Sequence, residues 1–449
     1  MNSDQNHSPS RIGLFTAVSI VVANMVGTGV FTSLGFQAVD IKSGFALLCL
    51  WIVGGVFALC GALSYGELGA VMPRSGGEYH YLSKIYHPAL GFLSGWVSVT
   101  VGFAAPIALA AILFGSYSSC VFLENCTEAD GLKKAIALVV AIGISLIHTR
   151  NLKVGSSFQD VFTALKVLLI VVFIACGFFL GQPQDISFLP TPTDSQLIFS
   201  SPFAISLVYV TYSYSGWNAA IYLASELEQP EKNLPRALLG GTAIVMVLYI
   251  LLNFIFLHTT PISALEGQPE VGYIAANYIF GNIGGKIMGL LISLGLLSTI
   301  SSMVWAGPRV TQVIGEDIPF FKLLAQKNAS GIPYYAILLQ LAIVLVMVIT
   351  STFETVTTYL QFTLILSSFM TVLGLFIHRI KNPDVPRPYK TWGYPVTPLI
   401  FLGVSLWIMI FVFQGKPWAS LAGLATIALG LPIYFLAAKN QLASSDSEP

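Results

Sequence analysis

The sequence predicts an all-α polytopic membrane protein with twelve transmembrane helices, arranged as a 5+5 inverted repeat in which helices 1 and 6 are broken. Three observations predict it. Hydrophobic residues make up 55% of the 449 positions and charged residues 9%, too little polar surface to cover a soluble globule. Twelve apolar runs follow one another, each of at least roughly 17 residues and so able to cross a ~30 Å hydrocarbon core as a helix. Two of these runs carry small and polar residues in the middle, where continuous helix should be strongest.

In chain order the runs lie near 13–39, 44–70, 89–118, 133–149, 155–181, 198–226, 236–258, 272–305, 333–352, 355–378, 395–414 and 418–438. With the N-terminus placed in the cytoplasm, inner connections hold 15 of the 21 Lys and Arg residues and outer ones hold five (Lys42, Lys133, Lys134, Lys286, Lys416). That bias is the positive-inside signal, and an even number of spans returns the C-terminus to the same side. Residues 1–12 form a polar cytoplasmic tail with no cleavage site of the secretory kind after it. Residues 439–449 form a second cytoplasmic tail, with "NQLASSDSEP" expected to be disordered. Formal net charge is zero and no basic stripe forms, so nothing points to nucleic acid.

The first interruption is "ANMVGTGVFTSLGFQ", residues Ala23 to Gln37, centred on Gly27, Thr28 and Gly29. The second is in "LVYVTYSYSGWNAAIYL", where Ser213, Ser215 and Gly216 fall mid-run. Close packing of helices through small residues is one reading of either break taken singly. Gly27 and Gly216 are 189 positions apart, however, which puts the breaks in the first helix of each of two five-helix blocks, 13–181 and 198–378. Five is odd, so the second block enters from the opposite side and is inverted; 395–438 adds two peripheral helices. Paired broken helices in inverted repeats mark a substrate site near the bilayer midplane. A break frees N–H groups at one new end and carbonyls at the other, and the helix dipoles favour an anion and a cation there. An α-amino acid carries both charges. The expected arrangement is a carboxylate on the backbone of Gly27-Thr28-Gly29 and an ammonium near the carbonyls of Met25 and Tyr212.

Four stretches, "VGTGVF", "ALSYGELGAVMPRSGGEYHYL", "YSYSGWN…LEQPEKNLPRA" and "RPYKTWGYPVTP", resemble the amino acid, polyamine and organocation superfamily. Within it the chain is most similar to the L-type (neutral) amino-acid transporters and their bacterial homologues. The resemblance implies the leucine-transporter fold and secondary active transport by alternating access at a multi-pass protein of the plasma or inner membrane. It implies no cofactor and no bound metal. The family usually has Phe where this chain has Tyr212 and glycine where it has Ser215. The added hydroxymethyl narrows the pocket, and one misfitted methylene is worth ~1–3 kcal/mol, which tilts the expected substrate towards small neutral L-amino acids. Substrate-binding candidates are Met25, Gly27, Thr28, Gly29, Tyr212, Ser213, Ser215, Gly216 and Trp217.

Lys166 is the one formally charged residue well inside a run. A lysine there either snorkels to the interface or faces a partner or cavity. By resemblance it occupies the place where sodium-coupled relatives hold their ion. Sodium independence is therefore expected, with Ser298, Thr299, Ser301 and Ser302 as oxygen partners. The first, third and eighth runs hold no Asp or Glu, so a second cationic group on the substrate would lack a counter-charge. Exchange or facilitated movement is the leading mechanism, with proton-coupled symport and a non-transporting amino-acid sensor as the other readings.

Enzyme classes lack support, since no H-E-x-x-H or G-x-S-x-G stretch occurs, and "GNIGGK" at 281–286 misses the P-loop spacing. Cys49, Cys60 and Cys176 read as small core residues. Cys120 and Cys126 share an outer loop, where a disulfide and two free thiols both stay open, beside a glycosylation sequon at Asn125. No oligomeric partner is readable. The loop "MPRSGGEYHYLSKIYHP" reads as a structural turn or a moving gate, with Ser75-Gly76-Gly77-Glu78 a cap and turn before a short amphipathic segment, and Glu67 is expected at the inner end of the second run with Arg74 as partner.

Overall fold

The computed structural model describes residues 11–122, 130–150, 152–268, 270–350, 353–415 and 417–445. These residues form helices packed around one apolar core. The first run divides into α1 (Leu14–Met25) and α2 (Gly29–Asp40), and α3 (Gly44–Val71) follows after a Ser43 cap. The short α4 (Glu78–Ile85) leads to α5 (Pro88–Val97), a π-helical turn (Ser98–Gly102) and α6 (Ala104–Phe122). A π turn at mid-span is a recurrent feature of functional helices. Then come α7 (Asp130–Arg150), α8 (Leu152–Leu180), the short α9 (Pro192–Ile198) and α10 (Ser201–Ser213), which gives way to a 3₁₀ segment, Ala219–Glu226. The remainder is α11 (Pro230–Thr259), α12 (Ile262–Leu265), α13 (Val271–Phe280), α14 (Gly284–Asp317), α15 (Tyr334–Thr350), α16 (Phe353–Lys381), α17 (Val396–Gly415) and α18 (Pro417–Ser445).

Among the described residues ten helices are long and apolar enough to cross a membrane, and the chain is an integral, multi-pass membrane protein. Two expected spans fall short of that length. The sixth stops at Ser213 because its break is wide, and the ninth is the 17-residue α15. The run 272–305 is not one helix. It splits into α13 and α14 at a turn over Gly281–Ile283, and α14 continues to Asp317. The break is local turn chemistry that an apolar count cannot register. At the other end, α18 carries helix to Ser445, well into the stretch expected to be a disordered tail, because Gln, Leu and Ala are good helix formers.

The packing places both breaks at the centre. α1 lies against α11, α8 and α14, while α10 lies against α2 and α3. Ile12 pins the chain start to the end of the 3₁₀ segment through Ile12 N–H to the Glu226 carbonyl (2.8 Å) and Glu228 N–H to the Ile12 carbonyl (3.0 Å). Glu67 does not pair with Arg74. It lies buried in α3 and takes the Arg379 guanidinium at 2.6 and 2.8 Å, whereas Arg74 reaches Asp317 (2.8 Å) and Glu316 (3.2 Å). The helix has carried Glu67 inward, away from the loop that holds Arg74. Cys49, Cys60 and Cys176 are free and at least partly buried. Cys126 and the Asn125 sequon lie outside the described residues.

Candidate functional site

Val26, Gly27 and Thr28 interrupt the first helix, and Tyr214 to Asn218 interrupt the second. Seven of the expected site residues, Met25, Gly27, Thr28, Gly29, Tyr212, Ser213 and Ser215, line one cavity. The other two, Gly216 and Trp217, line an adjoining cavity. The two cavities share Asn24, Pro106, Ser215, Met303 and Leu364 in their walls, and so are neighbours.

The glycines divide the work between them. A Cβ at Gly27 would meet nothing within 4 Å, so that backbone is open to the cavity. A Cβ at Gly29 would lie 2.5 Å from the Ser213 hydroxyl, so its bareness permits the two broken helices to touch. Ser213 is held at this contact by Ser33 (3.0 Å) and the Tyr209 carbonyl (2.9 Å). Gly216 has φ of +93°, and its added Cβ would meet the Asn24 backbone at 2.9 Å.

The freed backbone groups fall in two sets. The N–H groups of Thr28 and Gly29 carry no hydrogen bond among the described residues, and they stand at the N-terminus of α2, where the dipole favours an anion. The Met25 carbonyl beside the first break is occupied. Met25 accepts from Gly27 N–H (2.9 Å), and the Tyr249 hydroxyl lies 2.6 Å from the Met25 carbonyl and 3.0 Å from that of Ser213. Its single proton serves one at a time.

Lys166 is buried at 1% exposure and does not snorkel. Its ammonium donates to the Val26 carbonyl (2.7 Å), the Ala23 carbonyl (3.3 Å) and the Thr299 hydroxyl (2.9 Å). It thus ties α8 to the carbonyl end of α1, where the helix dipole favours positive charge, and to α14. Of the four expected oxygen partners only Thr299 reaches it. Ser298 bonds Thr163 (2.8 Å), Ser301 bonds His148 (2.8 Å), and Ser302 bonds back to the Thr299 carbonyl (2.9 Å). Ser298, Ser301 and Ser302, at i, i+3 and i+4, share one stripe of α14, and Thr299 lies about 100° round from Ser298.

Sequence reasoning passed over Tyr249, an aromatic within a uniformly apolar run and so without any signal. It also treated Glu78 as part of a turn. The turn exists, with Gly76 and Gly77 at positive φ, and Ser75 and Ser225 exchange reciprocal backbone-to-hydroxyl bonds of 2.9 and 3.0 Å. Glu78 itself is buried and lines the larger cavity. Burial pushes its carboxyl above the usual range, against hydrogen bonds from Ser367, Tyr65, Ser368 and Asn218 that favour the charged form.

The chain matches the family model described as amino acid permease over residues 12–431. It is 29% identical over 445 residues to the serine/threonine exchanger SteT of Bacillus subtilis (strain 168), covering 97% of this chain and 98% of that one. It is also 29% identical over 448 residues to the large neutral amino acids transporter small subunit 2 of Mus musculus, with 95% and 80% covered. The b(0,+)-type amino acid transporter 1 of the same organism is 28% identical over 432 residues, with 95% and 87% covered.

Proposed function

The chain belongs to the amino acid permease family, and on that premise we propose that it moves small neutral L-amino acids across the membrane by alternating access, without sodium and by exchange. The observation that carries the reading is the single cavity into which both helix breaks open, with free N–H groups of α2 on one side and Lys166 filling the cation position behind it. The carboxylate sits on Thr28 and Gly29, and the side chain points past Ser215. Because the ammonium of Lys166 already satisfies the Val26 carbonyl, no vacancy is left for a sodium ion there. The serine/threonine specificity named for the Bacillus relative agrees with a pocket narrowed by Ser215.

In this reading the helices are the twelve spans of the leucine-transporter fold. Residues 13–181 and 198–378 are the inverted five-helix repeats, α10 with its 3₁₀ continuation is the sixth span, and 395–438 holds the peripheral pair. Both termini face the cytoplasm of a cell membrane, in keeping with the Lys and Arg distribution. Labelled L-alanine and L-serine uptake into sodium-free proteoliposomes, with and without the unlabelled amino acid inside, tests the proposal. Uptake that needs internal substrate is the expected result. Uptake that needs a pH gradient instead moves the assignment to proton symport, and saturable binding without flux moves it to a sensor.

A further inference from the structure

Glu78 is 3% exposed, yet its side chain borders the cavity beside Ser98, Thr211, Gly216 and Asn218. Three donors from three different elements meet on its Oε1: the Tyr65 hydroxyl of α3 (2.5 Å), the Ser368 hydroxyl of α16 (2.9 Å) and the Asn218 amide of the second break (3.2 Å). All three are uncharged. Two other carboxylates with little exposure pair with guanidinium groups, Glu67 with Arg379 at 2.6 Å and Glu226 with Arg309 at 2.7 Å. Among the described residues no ion pair reaches Glu78.

A buried carboxylate without a counter-charge is costly, and a low-dielectric cavity focuses its field on whatever enters. Two of the carbonyls that a cation would otherwise seek at the first break are engaged, Met25 by Tyr249 and Val26 by Lys166. Glu78 is the one carboxyl group among the residues that line this cavity. It stands where the space extends from the breaks towards α4. We propose that Glu78, with Asn218 and Ser368, forms an inner subsite that takes the α-ammonium group of the amino acid as it moves between the central site and the face carrying α4. The subsite rests on the transport reading above. It deepens that reading by giving the substrate's cationic end a second docking point on one side only.

The subsite makes the two faces unequal, and that asymmetry tests it. The full-length protein and its Glu78→Gln and Glu78→Asp variants are reconstituted in one orientation, and KM for L-alanine exchange is measured from each face. Glu78→Gln should raise KM on the α4 face about tenfold and leave the opposite face within about twofold, with Glu78→Asp closer to wild type. Equal changes on both faces, or none, would overturn the subsite while leaving transport standing. No exchange of L-alanine or L-serine by the wild type would instead remove the reading beneath it. If Glu78→Gln does not insert, Ser368→Ala gives the same test with a smaller shift: a rise confined to the α4 face upholds the subsite and a symmetric change refutes it.

Discussion

The two helix breaks face the same cavity but are held open in different ways. The first spans three residues and is flanked by full α-helix on both sides, α1 and α2 of 12 residues each. It is clamped by charge, since the buried ammonium of Lys166 and the hydroxyl of Thr299 both bond the Val26 carbonyl, at 2.7 and 3.0 Å. The second spans five residues and resumes only as 3₁₀ helix. Packing shapes it: Gly216 at positive φ fits against Asn24, Tyr214 anchors to the Trp51 carbonyl at 2.9 Å, and Trp217 stacks edge-on with Tyr65. The lesson is that one break depends on an electrostatic plug and the other on steric fit. Removing a charge should therefore injure the first, and adding a methyl should injure the second.

The largest effect expected is from Lys166→Ala. Deleting the ammonium leaves the Val26 carbonyl with Thr299 as its remaining donor and opens a buried void, at a cost of ~1.5–3 kcal/mol for the lost charged hydrogen bond alone. Sodium-free exchange should fall roughly a hundredfold, measured as initial rates at matched protein density. An undiminished rate would mean that the first break holds itself open without its plug.

A pair of alanine substitutions then sharpens the contrast within the first break. Gly29→Ala drives a methyl into Ser213, while Gly27→Ala points one into open space. The first should lower thermal stability in detergent by several degrees and abolish most transport, as overpacking costs ~1–3 kcal/mol. The second should leave stability unchanged and raise substrate KM, because the methyl enters the volume assigned to the carboxylate. Equal melting temperatures for the two variants would remove the distinction between the contact glycine and the cavity glycine.

Tyr249→Phe has a smaller expected effect and bears on the link between the breaks. The hydroxyl lies within hydrogen-bond reach of Met25 on one helix and Ser213 on the other, so its loss should cost ~1 kcal/mol of stability. Its second readout is a change in the balance between inward- and outward-open states, which accessibility labelling from each face would register. A variant with wild-type accessibility and stability would show that the breaks are not coupled through this residue.

How much of this was legible in the sequence depends on which link of the chain is asked about. Membrane helices were readable because a 30 Å span must be apolar throughout, and the two breaks were readable because glycine and serine disrupt that rule. Gly27, Thr28, Gly29, Ser213 and Ser215 do meet at one cavity. Of the partners of Lys166 only Thr299 was readable, since the other two are backbone carbonyls, which leave no mark in a sequence. The Glu67–Arg379 pair joins residues 312 positions apart, beyond the reach of local pattern. Glu78 was misjudged for a related reason: hydropathy places it in a connecting loop, whereas the fold turns that loop back under the cavity and buries it.

The smallest expected effect concerns selectivity, and it returns to the second break. Ser215 borders both cavities, so its hydroxymethyl stands at the junction between the space at the breaks and the space leading to Glu78. Ser215→Gly removes that group without touching the clamped first break, and it gives the backbone more freedom next to Gly216. Stability should fall slightly, while the ratio of kcat/KM for L-leucine over L-alanine should rise by about three- to tenfold, within the ~1–3 kcal/mol that one methylene of fit is worth. The comparison is specific because the charge-clamped side has no equivalent lever: a Thr28→Ser change removes a methyl from the other wall of the same cavity and should leave the leucine-to-alanine ratio where it was. If both substitutions move the ratio alike, the side chain is read by the whole cavity, and steric control does not belong to the second break alone.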